Sequence, residues 1–146
     1  TPTFSFQTLD GKAFTQEDLD KTKPTMIMNY DPYCEHCNEQ AEIIKKSSDL
    51  FKAKDIHFVF VTFIPEREAT EEFIINHFEG TGFNYTFLLD PDIKFEDYFG
   101  YTSDSFNIYL YKNSGDRAKY FGKEQSAETL LKNLLYYLSL KIGLLS

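Results

Sequence analysis

The sequence predicts a single α/β domain spanning residues 1–146, a central mixed sheet flanked by helices, and three observations carry that expectation. Short β-branched and aromatic runs alternate with stretches of helical periodicity from Thr25 onward. The opening TFSFQTLDGKAFT alternates Phe4 and Phe6 with polar residues around Asp10-Gly11, the pattern of an N-terminal β-hairpin. No repeat, low-complexity tract or Pro/Gly/Ser linker divides the 146 residues, a length that buries one core without a disulfide or metal staple.

Taken in order, Thr15-x-x-Asp18 after the hairpin is a capping-box pattern for one short helical turn. TMIMNY, Thr25 to Tyr30, is brief, apolar and preceded by Pro24, so it reads as a buried strand. From Glu35 to Phe51 the apolar positions Cys37, Ala41 and Ile44, with Ile43, Leu50 and Phe51, fall mostly at spacings of three, four and seven. Glu39, Glu42, Lys45 and Lys46 occupy the other face, which predicts a helix. IHFVFVTF, Ile56 to Phe63, is a second strand, and ATEEFIINHF, Ala69 to Phe78, a second helix. YTFLLD, Tyr85 to Asp90, and IKFEDYF add a strand and a helical turn. FNIYLY, Phe106 to Tyr111, pairs with AKYFG across the KNSGD turn. SAETLLKNLLYYLSLKIG sets Leu130, Leu134, Leu138 and Ile142 four apart, a helix that packs on the sheet.

Composition excludes several functions. With 15 Lys plus Arg against 23 Asp plus Glu the net charge is -8, which repels phosphate backbones and anionic lipid surfaces, so no nucleic-acid partner is expected. No apolar run reaches the ~18 to 20 residues of a membrane span, and TPTFSFQTLDG lacks the basic and apolar regions of a signal peptide. A chain that starts at Thr1 is consistent with a trimmed export signal or lipid anchor, and composition alone leaves the compartment open. The 15 Phe and 10 Tyr recur inside apolar runs, where they build core rather than function.

The chemistry is concentrated in NYDPYCEHCNEQ, which holds the only two cysteines, Cys34 and Cys37. The preceding strand and following helix place Cys34 at a helix N-terminus, where the dipole and unpaired backbone N–H groups favour the thiolate, and Cys37 lies one turn on. In a redox reading Cys34 attacks and Cys37 resolves. His36 would support the thiolate, while Asp31, Glu35, Glu39 and Glu42 oppose a further negative charge. Two other readings stand beside it: a metal site, for which only His36, His57 and His77 could complete the ligand set, and an inert structural pair. His57 and His77 read as ordinary surface or satisfied histidines; no metal or cofactor is expected.

Over almost its whole length the chain resembles the thioredoxin superfamily, nearest its TlpA-like and redoxin branch. The resemblance rests on FSFQTLDGKAFTQEDL, on KPTMIMNYDPYCEHC, on the segment NYTFLLDPDIKFEDYFGY between the second helix and third main strand, and on the YLYKNSGD hairpin. It implies a thioredoxin-like fold with an extra strand–helix insertion, and a thiol–disulfide oxidoreductase in which Cys34 and Cys37 cycle between dithiol and disulfide. It also implies protein thiol or disulfide substrates, a redox partner, and an extracytoplasmic place of work, periplasmic or membrane-anchored, as a reductase or isomerase. Glu35, His36 and Tyr33 are the supporting residues.

Three positions depart from the family pattern. Tyr33 replaces the usual Trp before the first cysteine, Met28 occupies the slot of a buried carboxylate, and the proline facing the disulfide falls at Ser105 or Phe106, the expected substrate-docking loop. Asp31 stands where peroxidatic sites place a hydrogen-bonding Thr, and an ionised carboxylate has no donor to offer a peroxide. The alternative of a different class is a thioredoxin-like binding module, redox-lapsed or metal-binding, that docks a partner through Tyr33, His36 and the loop at Ser105.

Overall fold

In the computed structural model, which describes residues 1–100, 106–112 and 117–134, seven strands form one mixed sheet. They are β1 (Ser5–Thr8), β2 (Ala13–Thr15), β3 (Thr25–Asn29), β4 (His57–Thr62), β5 (Asn84–Leu89), β6 (Asn107–Tyr111) and β7 (Arg117–Phe121), ordered β2-β1-β5-β4-β3-β6-β7. β3, β4 and β5 run parallel, with Met28 opposite Phe60 and Phe60 opposite Phe87. The flanking pairs β1–β5, β1–β2, β3–β6 and β6–β7 are antiparallel. The strand of the expected insertion, β5, therefore lies inside the sheet and joins the hairpin to the parallel centre.

β4 is buried along its entire length, so its near-continuous apolar run serves two cores at once. Because successive side chains alternate faces, Met26, Met28, Phe58 and Phe60 enter one core and Ile27, Val59 and Val61 the other. The first core receives Cys37, Ala41 and Ile44 from α1 (Glu35–Lys46), Phe51 from α2 (Ser48–Ala53), Phe73 from α3 (Arg67–His77), and Leu130, Leu131 and Leu134 from a C-terminal helix through 127–134. Leu138 and Ile142 of its expected stripe lie outside the described residues. The second core takes Phe4 and Phe6 from the hairpin and Phe95 from α4 (Phe95–Phe99). No helix among the described residues is long and apolar enough to cross a membrane.

Local chemistry explains the borders. In the hairpin turn Thr8 N–H donates to the Lys12 carbonyl at 2.8 Å, and Gly11 sits at φ 85°, a conformation that side chains with a Cβ resist. The Thr15–Asp18 capping box forms over a 3-10 turn, Gln16–Asp18. The helix expected from Glu35 to Phe51 is broken at Ser47, whose non-helical backbone (φ -110°, ψ 29°) ends α1 and starts α2. Adjacent serines compete for backbone hydrogen bonds, and the break turns Phe51 onto Phe58, ring centroids 5.7 Å apart, leaving Leu50 exposed. Asp90, buried at the end of β5, fixes α4 by accepting from Lys94 N–H at 2.9 Å and Phe95 N–H at 2.9 Å.

Candidate functional site

The cysteines lie where β3, an interior strand, leaves the sheet at its carboxyl end, the position where open α/β sheets gather ligands. Tyr30 N–H still pairs with the Val61 carbonyl at 3.0 Å, and then Asp31 reverses the chain. Its carboxylate accepts from Tyr33 N–H at 2.8 Å and its carbonyl from Cys34 N–H at 3.0 Å, so Asp31 is a turn-former rather than a peroxide contact. Cys34 then caps α1. Its Sγ accepts the Cys37 N–H at 3.3 Å, the helix-end bond that the strand-to-helix junction predicts.

Both cysteines are in the reduced, thiol form; Cys34 is half-buried and Cys37 buried. Burial pushes the Cys37 thiol well up from its ordinary value, and a hydrogen bond to Cys34 adds to the shift. The inner sulfur holds its proton while the outer one receives the helix N–H. Met28 is fully buried, so the slot of the buried carboxylate carries a thioether. Tyr30, which sequence reasoning did not single out, is buried with its hydroxyl unpartnered, and desolvation raises its phenol although the Thr70 hydroxyl nearby acts against the shift; Cys37 and Asp31 push the same way as burial.

The supporting residues separate into two groups. Tyr33, 66% exposed, and His36 present their rings to solvent beside Cys34, and Glu35 opens α1 at the surface. His36 Nδ1 lies 3.6 Å from Glu39 Oε2, an exposed pair. Glu124 approaches from the segment after β7, and its carboxyl is raised by desolvation and by the neighbouring Glu39. His36, Glu39 and Glu124 each place a ligand atom within 4.8 Å of the others, a set that could hold a divalent cation, and neither cysteine belongs to it. Ser105 lies outside the described residues. Phe106 is 5% exposed, its ring in the same core as Cys37 with Cys34 packed against that core. No peptide bond among the described residues is cis.

The other histidines are not surface groups. His57 and His77 are each 6% exposed. His57 Nε2 meets Thr86 Oγ1 at 2.8 Å, while its Nδ1 is buried without a partner. His77 Nδ1 meets Glu42 Oε1 at 2.9 Å and its Nε2 meets Asn38 Oδ1 at 2.7 Å, so both nitrogens are engaged away from the sulfurs. Neither completes a metal set with the cysteine pair. Sequence reasoning also passed over Asn38 and Gln40. Asn38 Nδ2 donates to the carbonyls of Pro32 at 3.0 Å and Cys34 at 2.9 Å. Gln40, buried on α1, exchanges two bonds with the Gln125 backbone, at 3.0 and 2.7 Å, and so fixes the segment that carries Glu124. A short polar residue inside an amphipathic helix was the available signal, but its partner was not.

The Redoxin family model matches residues 1–114. Among solved structures, MTB dsbF in its mixed oxidized and reduced forms superposes with a TM-score of 0.70 at 24% identity, over 89% of this chain and 91% of that one. A secreted Mycobacterium tuberculosis disulfide oxidoreductase homologous to E. coli DsbE gives a TM-score of 0.68 at 20% identity, over 89% and 92%. A putative thiol:disulfide interchange protein DsbE from Chlorobium tepidum gives 0.73 at 15% identity, over 92% of each chain. The fold is thus thioredoxin-like. No curated protein matches the sequence.

Proposed function

Since the chain belongs to the Redoxin family, we propose that it is a thiol–disulfide oxidoreductase acting on protein cysteines through Cys34 and Cys37, and that it works as a reductase or isomerase outside the cytoplasm. The observation that carries this reading is the division of labour at the α1 N-terminus: a half-buried Cys34 sulfur receives the Cys37 N–H, while the Cys37 thiol one turn on is buried and keeps its proton. An accessible sulfur at a helix N-terminus is placed to act as the nucleophile, and a shielded neighbour that cannot meet a client directly is a resolving group.

The chemistry balances over two exchanges. The Cys34 thiolate attacks one sulfur of a client disulfide; the Cys34–client S–S bond forms as the client S–S bond breaks, and the departing client thiolate takes a proton from water. Cys37 then loses its proton and attacks the Cys34 sulfur, which forms the Cys34–Cys37 disulfide and releases the second client thiol. Two electrons pass to the client, and a separate dithiol partner must return them to the pair. Met28 offers no base for the Cys37 proton, and water or the departing client thiolate takes that role. An extracytoplasmic setting is supported by one fold neighbour, a secreted disulfide oxidoreductase, and by the persistence of client disulfides in oxidising compartments.

A Cys37→Ser variant tests the reading. It should accumulate a mixed disulfide through Cys34 that mass spectrometry identifies, and the intact protein should reduce insulin. Absence of both adduct and turnover, with biological function kept by Cys34→Ser, would establish instead a binding module that uses exposed Tyr33 and His36.

A further inference from the structure

We propose that Asn38 and His77 are positioning residues for the Cys34 sulfur, an inference that rests on reading Cys34 as the nucleophile. Asn38 sits one turn into α1, and its side chain reaches back over the helix start. Nδ2 donates at 3.0 Å to the Pro32 carbonyl and at 2.9 Å to the Cys34 carbonyl, which also accepts the Asn38 backbone N–H at 3.1 Å. These bonds clamp the backbone on both sides of Tyr33, immediately before the sulfur. The Asn38 amide can face only one way: reversed, Oδ1 would meet two carbonyl oxygens.

Oδ1 therefore points to His77 Nε2, 2.7 Å away, and that nitrogen must carry a hydrogen. On the other side of the ring Nδ1 lies 2.9 Å from Glu42 Oε1. Glu42 comes from α1 and His77 from the last turn of α3, where Phe73 braces the ring edge-on at 4.7 Å. The result is a continuous chain, Glu42 to His77 to Asn38 to the carbonyls flanking Tyr33. If it served only to tie α1 to α3, it would have no reason to end on the Cys34 loop. Fixing the Cys34 carbonyl fixes the backbone from which Sγ reaches the Cys37 N–H, and a hydrogen bond donated to a sulfur favours its charged form over its neutral one.

The test follows the rate of Cys34 alkylation by iodoacetamide against pH, in a Cys37→Ser background so that one thiol reports, with thermal unfolding measured on the same samples. His77→Leu should slow alkylation at pH 7 by about three- to tenfold and move the profile to higher pH by about half to one unit. Asn38→Ala should do the same, and the double variant should go no further, because the two act in one chain. His77→Gln, whose Nε2 can still donate to Asn38 Oδ1, should return the profile to that of the unmodified histidine. A His77→Leu or Asn38→Ala profile that stays in place while the unfolding temperature falls would overturn the proposal, as would a His77→Gln shift equal to that of His77→Leu. Alkylation needs no client. A protein inactive on insulin that shows the His77-dependent profile refutes the oxidoreductase reading alone; an active one without it refutes the positioning role alone.

Discussion

The Cys34 sulfur caps the helix that carries Cys37, accepting the Cys37 N–H at 3.3 Å. The same atom is thus a structural acceptor in the dithiol state and the proposed reacting atom in exchange. These roles separate by substitution. Cys34→Ser keeps an N-cap acceptor, and oxygen is the stronger one, so stability should be retained or improved while thiol exchange is abolished. Cys34→Ala removes the acceptor and should lie about 0.5–1 kcal/mol below Cys34→Ser, toward the low end for lost caps because sulfur accepts weakly. Urea unfolding of both variants checks the order; equal stabilities would show that the 3.3 Å contact contributes nothing.

Cys37 predicts an alkaline signature for the reduced protein. Burial, then its bond to Cys34, raises its folded value above the ordinary 9.0, so above that pH the unfolded chain releases a proton that the folded chain keeps. The unfolded state binds fewer protons, and stability falls as pH rises. The stabilisation is complete below about pH 8 and its loss steepens above 9, approaching at most about 1.4 kcal/mol per pH unit. Cys37→Ala should flatten that limb relative to the dithiol protein. Tyr30, which Cys37 itself pushes up, differs between the two proteins, so the denaturation curves are compared from pH 8 to about 9.5, below the ordinary tyrosine value of about 10, where the difference reports the thiol.

The elements that were legible in the sequence are those whose pattern is local. β3 and β4 announce themselves by apolar runs of strand length after Pro24 and around Phe58, and the Cys34 junction follows from them. The break at Ser47 was missed because periodicity continues through it; only the core's demand for Phe51 decides the angle. Asn38 and His77 are 39 positions apart, and Gln40 and Gln125 are 85 apart. Nothing near either polar residue in the sequence distinguishes a helix-surface side chain from one that bridges elements. His57 and His77 illustrate the cost: each sits in an ordinary local context and is buried by residues the fold brings from elsewhere.

His57 should make the protein acid-sensitive. Desolvation lowers its folded value below the ordinary 6.5; Asp20 acts against the shift and Lys23 adds to it. As pH falls through about 6.5 the unfolded chain gains a proton that the folded chain refuses, so stability is lost toward acid. A His57→Gln variant has no such proton and can still meet Thr86 Oγ1, now 2.8 Å from Nε2. Its stability between pH 7 and 5 should decline less steeply than that of the unsubstituted protein. Parallel slopes over that interval would mean that the ring is protonated within the fold.

Gln40 supplies the last prediction, because its two bonds to Gln125 are its whole contribution to the site. The side chain is fully buried, and it satisfies a backbone N–H and a backbone carbonyl that the segment between β7 and the C-terminal helix leaves unpaired. Gln40→Leu keeps the volume but strands both groups, at a cost of about 2–4 kcal/mol for two orphaned backbone atoms. The segment it releases carries Glu124, whose carboxyl is raised by burial and by Glu39. Freed from that pair, Glu124 should titrate at lower pH, in the range of an exposed carboxyl. Carboxyl-resolved NMR titration of both proteins reads this directly. A Glu124 midpoint that does not move in Gln40→Leu would show that the contact with Glu39, and not the Gln125 tether, holds the segment beside the α1 N-terminus.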